Sequence, residues 1–150
     1  MSDKQPGAMP QIIPYLYYED AGPAIEFMET GFGFEIVSVF RNPEDDRVLT
    51  STVRTGSGLI FVGPGMEFFG TQGVQDPAFV SSMTYVYVDD VDAHYQRAKK
   101  AGATIMAEPH EHFGGNLQYT ASDPGGQRWT FAQAGVATET GETPEASEDD

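Results

Sequence analysis

Histidines are the side chains of this sequence best suited to proton transfer or metal binding, and there are three. His110 and His112 lie in the run EPHEHFGG, where an H-x-H spacing places both imidazoles on one face of an extended strand. With Glu108 or Glu111 the pair could hold an ion or serve as base and acid; alternatively, both are solvated residues of a loop. We expect His94, on a predicted helix, to lie on the helix surface.

The composition excludes several other chemistries. Cysteine is absent, which removes disulfides, thiolate metal ligands and cysteine nucleophiles. Eight basic residues against 23 acidic ones give a formal net charge of -15, so nucleic acids and anionic membrane surfaces are poor partners. No window approaches the roughly 18 apolar residues of a membrane helix, and the start lacks the apolar stretch of a signal peptide. We therefore expect a soluble, cytoplasmic protein.

The elements that position these residues form a repeat. The 150 residues suit one domain, or two small modules that share a core. Segments 14–37 and 84–106 each contain an apolar-aromatic strand, an acidic helix start, a helix, a glycine and a second strand. Strand-like runs follow each helix, at 35–41, 47–54 and 58–63, then at 104–109, 116–122 and 127–133.

This pattern predicts an α+β fold of two βαβββ modules in tandem. The predicted domain spans residues 11–134, with modules 11–63 and 82–134 and a linker at 64–81. The polar, aperiodic segments 1–10 and 135–150 are predicted to be disordered, the second as an acidic tail.

Two motifs resemble a known family. The doubled pattern, with DAGPAIEF…GFGF in the first half and YTASDPGGQRWTF in the second, resembles the vicinal oxygen chelate superfamily. That superfamily holds glyoxalase I, bleomycin-resistance proteins, extradiol dioxygenases and fosfomycin-resistance enzymes. The resemblance implies curved mixed sheets that form a cup around a ligand site, and a homodimer whose sites are each built from two modules. It does not imply one activity, because one fold hosts many chemistries.

The resemblance also implies where a metal would bind. In the family's metal enzymes, the ligands come from the first and last strands of each module, and those places project onto Ile13, Phe61, Met83 and Thr130. None of these offers His, Glu or Gln, and aliphatic or aromatic carbon with one neutral hydroxyl does not hold a divalent ion. We therefore expect the family's usual metal site to be absent, and no cofactor.

Strand alternation from the projected positions assigns a lining to the cup. The predicted ligand-binding residues are Tyr15, Tyr17, Phe61, Met83, Tyr85, Tyr87, Arg128 and Thr130, with His110 and His112 near the mouth. The opposite faces carry an apolar set suited to packing under the helices: Ile12, Leu16, Ile60, Val62, Val86, Val88, Trp129 and Phe131. Alternatively, the tyrosines are half-buried strand formers, and Arg128 makes a surface ion pair instead of anchoring a carboxylate.

Two functions from different classes follow. The first is a metal-free small-molecule-binding protein, resembling bleomycin-resistance proteins, that sequesters an aromatic or cationic compound in a homodimer. The second is a metal-dependent lyase, isomerase or dioxygenase-like enzyme of the same superfamily, with a metal held by substitutes such as His110 and His112. A dimeric scaffold whose cups are filled by its own side chains is a third possibility. The sequence leaves open whether the modules pair within one chain or across two.

Overall fold

The fold consists of two helix-containing modules that follow one another along the chain. The computed structural model describes residues 9–112 and 114–135. The predicted disorder at 1–10 and 135–150 falls almost entirely outside these residues. Within the described part, the first module comprises β1 (Tyr15–Tyr18), α1 (Ala21–Phe32), β2 (Glu35–Arg41), β3 (Val48–Thr55) and β4 (Gly58–Pro64). A 3₁₀ helix (Glu67–Phe69) lies in the linker, before β5 (Thr84–Tyr87), α2 (Val91–Ala101), β6 (Thr104–Glu111), β7 (Leu117–Ser122) and β8 (Arg128–Gln133).

Both modules have the same strand order. The first sheet runs β1-β4-β3-β2 and the second β5-β8-β7-β6. In each, the first strand pairs in parallel with the last, because the helical crossover returns the chain in the same direction, and the other pairs are antiparallel. The prediction of tandem βαβββ modules is therefore confirmed, with each sheet an open four-stranded one.

The helices of the two modules end in the same way. Gly33 and Gly102 follow α1 and α2 with φ angles of 75° and 118°, in the left-handed region that glycine adopts without a Cβ clash. The helix starts differ, because the Asp90 carboxylate accepts a hydrogen bond from the Ala93 backbone N–H at 3.0 Å whereas the Asp20 side chain makes no capping bond.

One apolar core joins the modules within a single chain. Phe32, at the end of α1, lies 5.2 Å from the Trp129 ring and 4.7 Å from the Phe131 ring, both of them on β8. Phe34 adds a contact with Trp129 at 5.6 Å between ring centroids. Since Trp129 and Phe131 are fully buried, the first module covers the apolar face of the second sheet. The modules thus share a core, one of the two arrangements that the chain length predicted.

A buried polar cluster also joins the modules. The Tyr18 hydroxyl at the end of β1 donates to the Asp123 carboxylate at 2.5 Å, and Trp129 Nε1 donates to the same oxygen at 2.9 Å. The backbone N–H groups of Gly125 and Gln127 donate to the other oxygen at 3.1 and 2.9 Å. Burial raises the pKa of Asp123, although the four donors favour its charged form.

The prediction that His94 lies on the helix surface is wrong. Its ring packs on Phe131 at 4.1 Å between centroids, because the end of α1 covers this flank of α2. The Phe32 carbonyl can only accept, so His94 Nε2 carries the proton and donates to it at 3.0 Å. Nδ1 then accepts from the Tyr119 hydroxyl at 2.6 Å, and burial lowers the pKa of His94 to about 4.

Candidate functional site

The faces of the two sheets that point away from the helices carry most of the predicted site residues. The predicted apolar set packs on the helix side: Ile60, Val62, Val86, Trp129 and Phe131 are buried in the core, and Leu16 and Val88 pack against it. Burial does not alternate along β8, because Thr130 and Ala132 on its other face are buried as well. Ile12 does not follow this pattern, since it precedes β1 and is 81% exposed. We call the side of the first sheet that carries Tyr15, Tyr17 and Phe61 the first open face, and the side of the second sheet that carries Tyr85, Tyr87 and Thr130 the second open face.

Stacked aromatic rings dominate the first open face. Tyr15 and Tyr17 are nearly parallel, with 4.7 Å between ring centroids, and Phe61 meets Tyr15 edge-on at 5.7 Å. The Tyr15 hydroxyl shares a hydrogen bond of 2.7 Å with Thr50 Oγ1. Gly63 makes this arrangement possible, because a Cβ there would lie 2.8 Å from the Tyr15 hydroxyl oxygen. The face therefore presents two stacked tyrosine rings with a phenylalanine edge-on beside them.

Hydrogen bonds between side chains organise the second open face. Tyr85 and Tyr87 are 45% and 63% exposed, and their rings meet edge-on at 5.5 Å. The Asn116 amide nitrogen donates to both hydroxyls, at 3.0 Å to Tyr85 and 3.2 Å to Tyr87. Tyr85 in turn donates to Gln118 Oε1 at 2.7 Å. This face presents aromatic rings whose polar ends are held in fixed positions.

Thr130 and Met83 interact with each other. The Thr130 hydroxyl, 1% exposed, donates to the Met83 sulfur at 3.0 Å and lies 2.7 Å from Thr120 Oγ1. Together with Ile13 and Phe61, these are the four positions onto which the family's metal ligands project. A thioether already bonded to a hydroxyl, plus two hydrocarbon side chains, does not fit a divalent cation.

Within the described residues, Arg128 does not form the predicted surface ion pair. Its role as an anchor for a carboxylate stays a prediction. Its guanidinium donates to the Pro77 carbonyl at 2.5 Å, and its buried Nε has no hydrogen-bond partner there. The salt bridges of the described residues involve Arg41 and Arg54 instead. Arg128 therefore holds the linker against the start of β8.

The two histidines lie at the far edge of the second sheet. His110 belongs to β6, which continues past the predicted strand end at residue 109, and His112 follows it. Their ring centroids are 6.0 Å apart, and His110 Nδ1 donates to the Glu108 carbonyl at 2.8 Å. In residues 9–112 and 114–135, no group of three or more His, Asp or Glu side chains is placed to hold a metal ion.

A cavity of about 700 Å³ adjoins the first open face. Tyr15, Tyr17 and Gln127 line one side, and linker residues between Gln72 and Ser82 line the other, with Asp76 as the charged group of this lining. Tyr85, Tyr87, His110 and His112 do not line it. The predicted site residues therefore form two open faces in the single chain.

Sequence reasoning missed the partners that orient the tyrosines. Asn116, Gln118, Thr50 and Thr120 contact predicted site residues, yet none of them was predicted. Alternation extended to β3 and β7 could have found Thr50, Gln118 and Thr120. Thr50 pairs with the exposed Phe40 of β2, and Gln118 and Thr120 pair with Ala132 and Thr130 of β8. No periodic signal marks Asn116, which lies in the turn before β7.

No helix of the described residues has both the length and the hydropathy to cross a membrane.

Known proteins resemble this chain along most of its length. TioX from Micromonospora sp. ML1 has a crystal structure with a TM-score of 0.67 and 26% identity, covering 83% of this chain and 98% of that chain. An uncharacterized protein of Mycobacterium bovis is 26% identical over 128 residues, covering 83% of each. The manganese- and sulfate-bound fosfomycin resistance protein FosX of Listeria monocytogenes has a TM-score of 0.64 at 12% identity, covering 89% of this chain and 98% of that chain, and so shares the fold alone.

A family model that spans both modules agrees with the topology. The model for the Glyoxalase/Bleomycin resistance protein/Dioxygenase superfamily matches residues 9–131, which run from before β1 through the linker and into β8. Since the match covers most of the sequence, the chain belongs to the Glyoxalase/Bleomycin resistance protein/Dioxygenase superfamily.

Proposed function

We propose that this protein binds a small aromatic or cationic molecule without a metal and sequesters it. The observation that carries the proposal is the second open face, where Tyr85 and Tyr87 keep much of their ring surface exposed while Asn116 holds their hydroxyls. Such amphipathic rings provide contact area at low conformational cost, and placed polar groups orient a ligand. The four projected metal positions support the metal-free form, since their side chains suit a divalent ion poorly.

We further propose that the active form is a homodimer. Both open faces expose large apolar side chains, including Phe40, Leu49, Met83 and Met106, which solvent disfavours. Pairing the first open face of one chain with the second of its partner would cover these side chains and enclose a ligand between two tyrosine pairs. A cytoplasmic location belongs to the same proposal, and cell fractionation would test it.

The alternative is a metal-dependent lyase, isomerase or dioxygenase-like enzyme. It is favoured by the proximity of His110 and His112, whose rings lie 6.0 Å apart, with the Nδ1–H of His110 bonded to a carbonyl so that Nε2 can bind a metal. A dimer partner would have to supply any further ligand.

Metal analysis separates the two functions. Protein purified without chelator is expected to contain nickel, zinc, iron and manganese well below one equivalent per chain. A stoichiometric metal that is lost from the double variant His110→Ala/His112→Ala would contradict the binder and support the enzyme. Native mass spectrometry should show a dimer. In a thermal-shift screen of planar compounds, at least one compound should raise the melting temperature of the protein. A monomer that no compound stabilises would contradict the proposal.

A further inference from the structure

The orientation of one amide decides the hydrogen-bond direction on the second open face. The Gly135 backbone N–H lies 3.2 Å from the side-chain oxygen of Asn116, and a backbone N–H can only donate. The atom facing it must therefore be Oδ1, so Nδ2 faces the two phenols. Gly135 is suited to this contact, because a Cβ at this position would overlap the Gly115 carbonyl.

This orientation sets where each proton of the network goes. Both phenol oxygens accept from Asn116, and Tyr85 passes its own proton to Gln118 Oε1. Among the described residues, the Tyr87 hydroxyl proton has no acceptor, and neither do the Nε2 protons of Gln118. The exposed end of the face therefore has protons to donate.

At the deeper end of the face, the hydroxyl protons are already donated within the protein. Thr130 donates to the Met83 sulfur, so the 2.7 Å contact between the threonine hydroxyls is donated by Thr120. Neither threonine hydroxyl therefore has a proton left for a ligand. Donors for a ligand are concentrated at Tyr87 and Gln118, beside the exposed phenol rings.

The net charge of the protein restricts the kind of hydrogen-bond acceptor that a ligand can bring to these protons. At a formal charge of -15, the protein repels a carboxylate or phosphate in solution, whereas a neutral acceptor has no such penalty. We propose that the second open face selects a flat aromatic molecule with a neutral hydrogen-bond acceptor, such as a ketone oxygen, and that Tyr87 donates to it. This inference rests on the proposed function and narrows its ligand class to acceptors rather than cations.

Three naphthalene probes of similar shape test whether the second open face selects a neutral hydrogen-bond acceptor. 2-Acetylnaphthalene carries a ketone, 2-ethylnaphthalene replaces it with a methylene, and 2-naphthylmethylammonium presents a cationic donor. In ligand-observed NMR titrations of the full chain, the ketone is expected to bind about three- to tenfold more tightly than the ethyl compound, the effect of one net hydrogen bond. Equal affinities, or a preference for the ammonium compound, would overturn the inference.

Variants identify the donor. Tyr87→Phe should reduce the ketone preference. Tyr95→Phe, which removes a hydroxyl from a buried side chain of α2, should retain it. Asn116→Asp keeps an acceptor for Gly135 but removes both amide donors, so the phenols turn to donate into the carboxylate and the ammonium compound gains affinity. If Tyr87→Phe and Asn116→Asp both retain the ketone preference, the inference is wrong while the proposed binding stands. If no probe binds the dimer, the inference and the proposed binding of aromatic ligands are overturned together.

Discussion

The two modules have one topology but use their equivalent strands differently. Tyr15 and Tyr85 occupy the same place in the two repeats, opposite Phe61 in β4 and Thr130 in β8. Next along each strand, Tyr17 faces Gly63 and Tyr87 faces Ala132. In the first module Gly63 leaves room for stacked rings, 9° apart, whereas in the second the rings are 67° apart and amides hold the hydroxyls. A duplicated backbone thus supports one stacking face and one hydrogen-bonding face.

The last hairpin of each module differs as well. In the first, the turn at Gly56 and Ser57 is exposed. In the second, Asp123 is buried and binds Tyr18 of the first module. The comparison indicates that the second module's hairpin has become the joint between the modules.

The largest expected effect concerns this joint. Asp123→Ala leaves the Tyr18 hydroxyl and Trp129 Nε1 buried without their acceptor, so we expect the free energy of unfolding to fall by about 3–5 kcal/mol. Ser57→Ala, in the equivalent exposed turn, should change it by less than about 0.5 kcal/mol. Urea denaturation measures both. Similar losses in the two variants would refute the difference between the hairpins.

His94 should make stability depend on pH. Its folded pKa of about 4 lies below the ordinary histidine pKa of 6.5, so the unfolded chain binds the proton first as the pH falls. The contribution of His94 to the free energy of unfolding is fully present above pH 6.5. It declines as the pH falls toward 4, by up to about 3 kcal/mol.

Replacing the imidazole tests the origin of this pH dependence. His94→Gln should therefore lose the component of the slope between pH 6.5 and about 4. Denaturation at several pH values would detect it, and an unchanged slope would assign the pH dependence to other groups.

Gly63 and Ala132 provide a smaller test of the two faces. A Cβ at position 63 would lie 3.0 Å from the Leu49 carbonyl as well as against the Tyr15 hydroxyl, so Gly63→Ala should cost about 1–3 kcal/mol. Ala132→Gly should cost only about 1 kcal/mol, from chain entropy and lost packing. If Gly63→Ala is neutral by urea denaturation, the glycine does not shape the first open face.

The smallest effects are expected from single hydroxyls. Tyr15→Phe loses the bond to Thr50 and should cost about 1 kcal/mol, while Tyr87→Phe, at an exposed hydroxyl, should stay within about 0.5 kcal/mol. Equilibrium unfolding of both variants beside the wild type measures the difference. A larger loss of unfolding free energy in Tyr87→Phe would mean that the hydrogen bonds of Tyr87 stabilise the fold instead of serving ligand binding.

Much of the fold could be predicted from the sequence because its signals are local. The apolar spacing, Asp90, Gly33 and Gly102 mark the helices, and alternation places Val62 and Phe131 under them. The ten predicted site residues came from positions that the family resemblance implies, extended by the same alternation, and from the H-x-H spacing. Their grouping into two faces was not predicted, since alternation gives the side of a strand but not the neighbour that covers it.

The sequence by itself determined the two βαβββ modules and the sides of their strands, because a period of two or 3.6 residues acts within one element. The tertiary structure alone decided the burial of His94, the joint between Tyr18 and Asp123, and the attachment of Arg128 to the linker. The first two join residues 62 and 105 positions apart in the chain, and such contacts depend on how whole modules pack together.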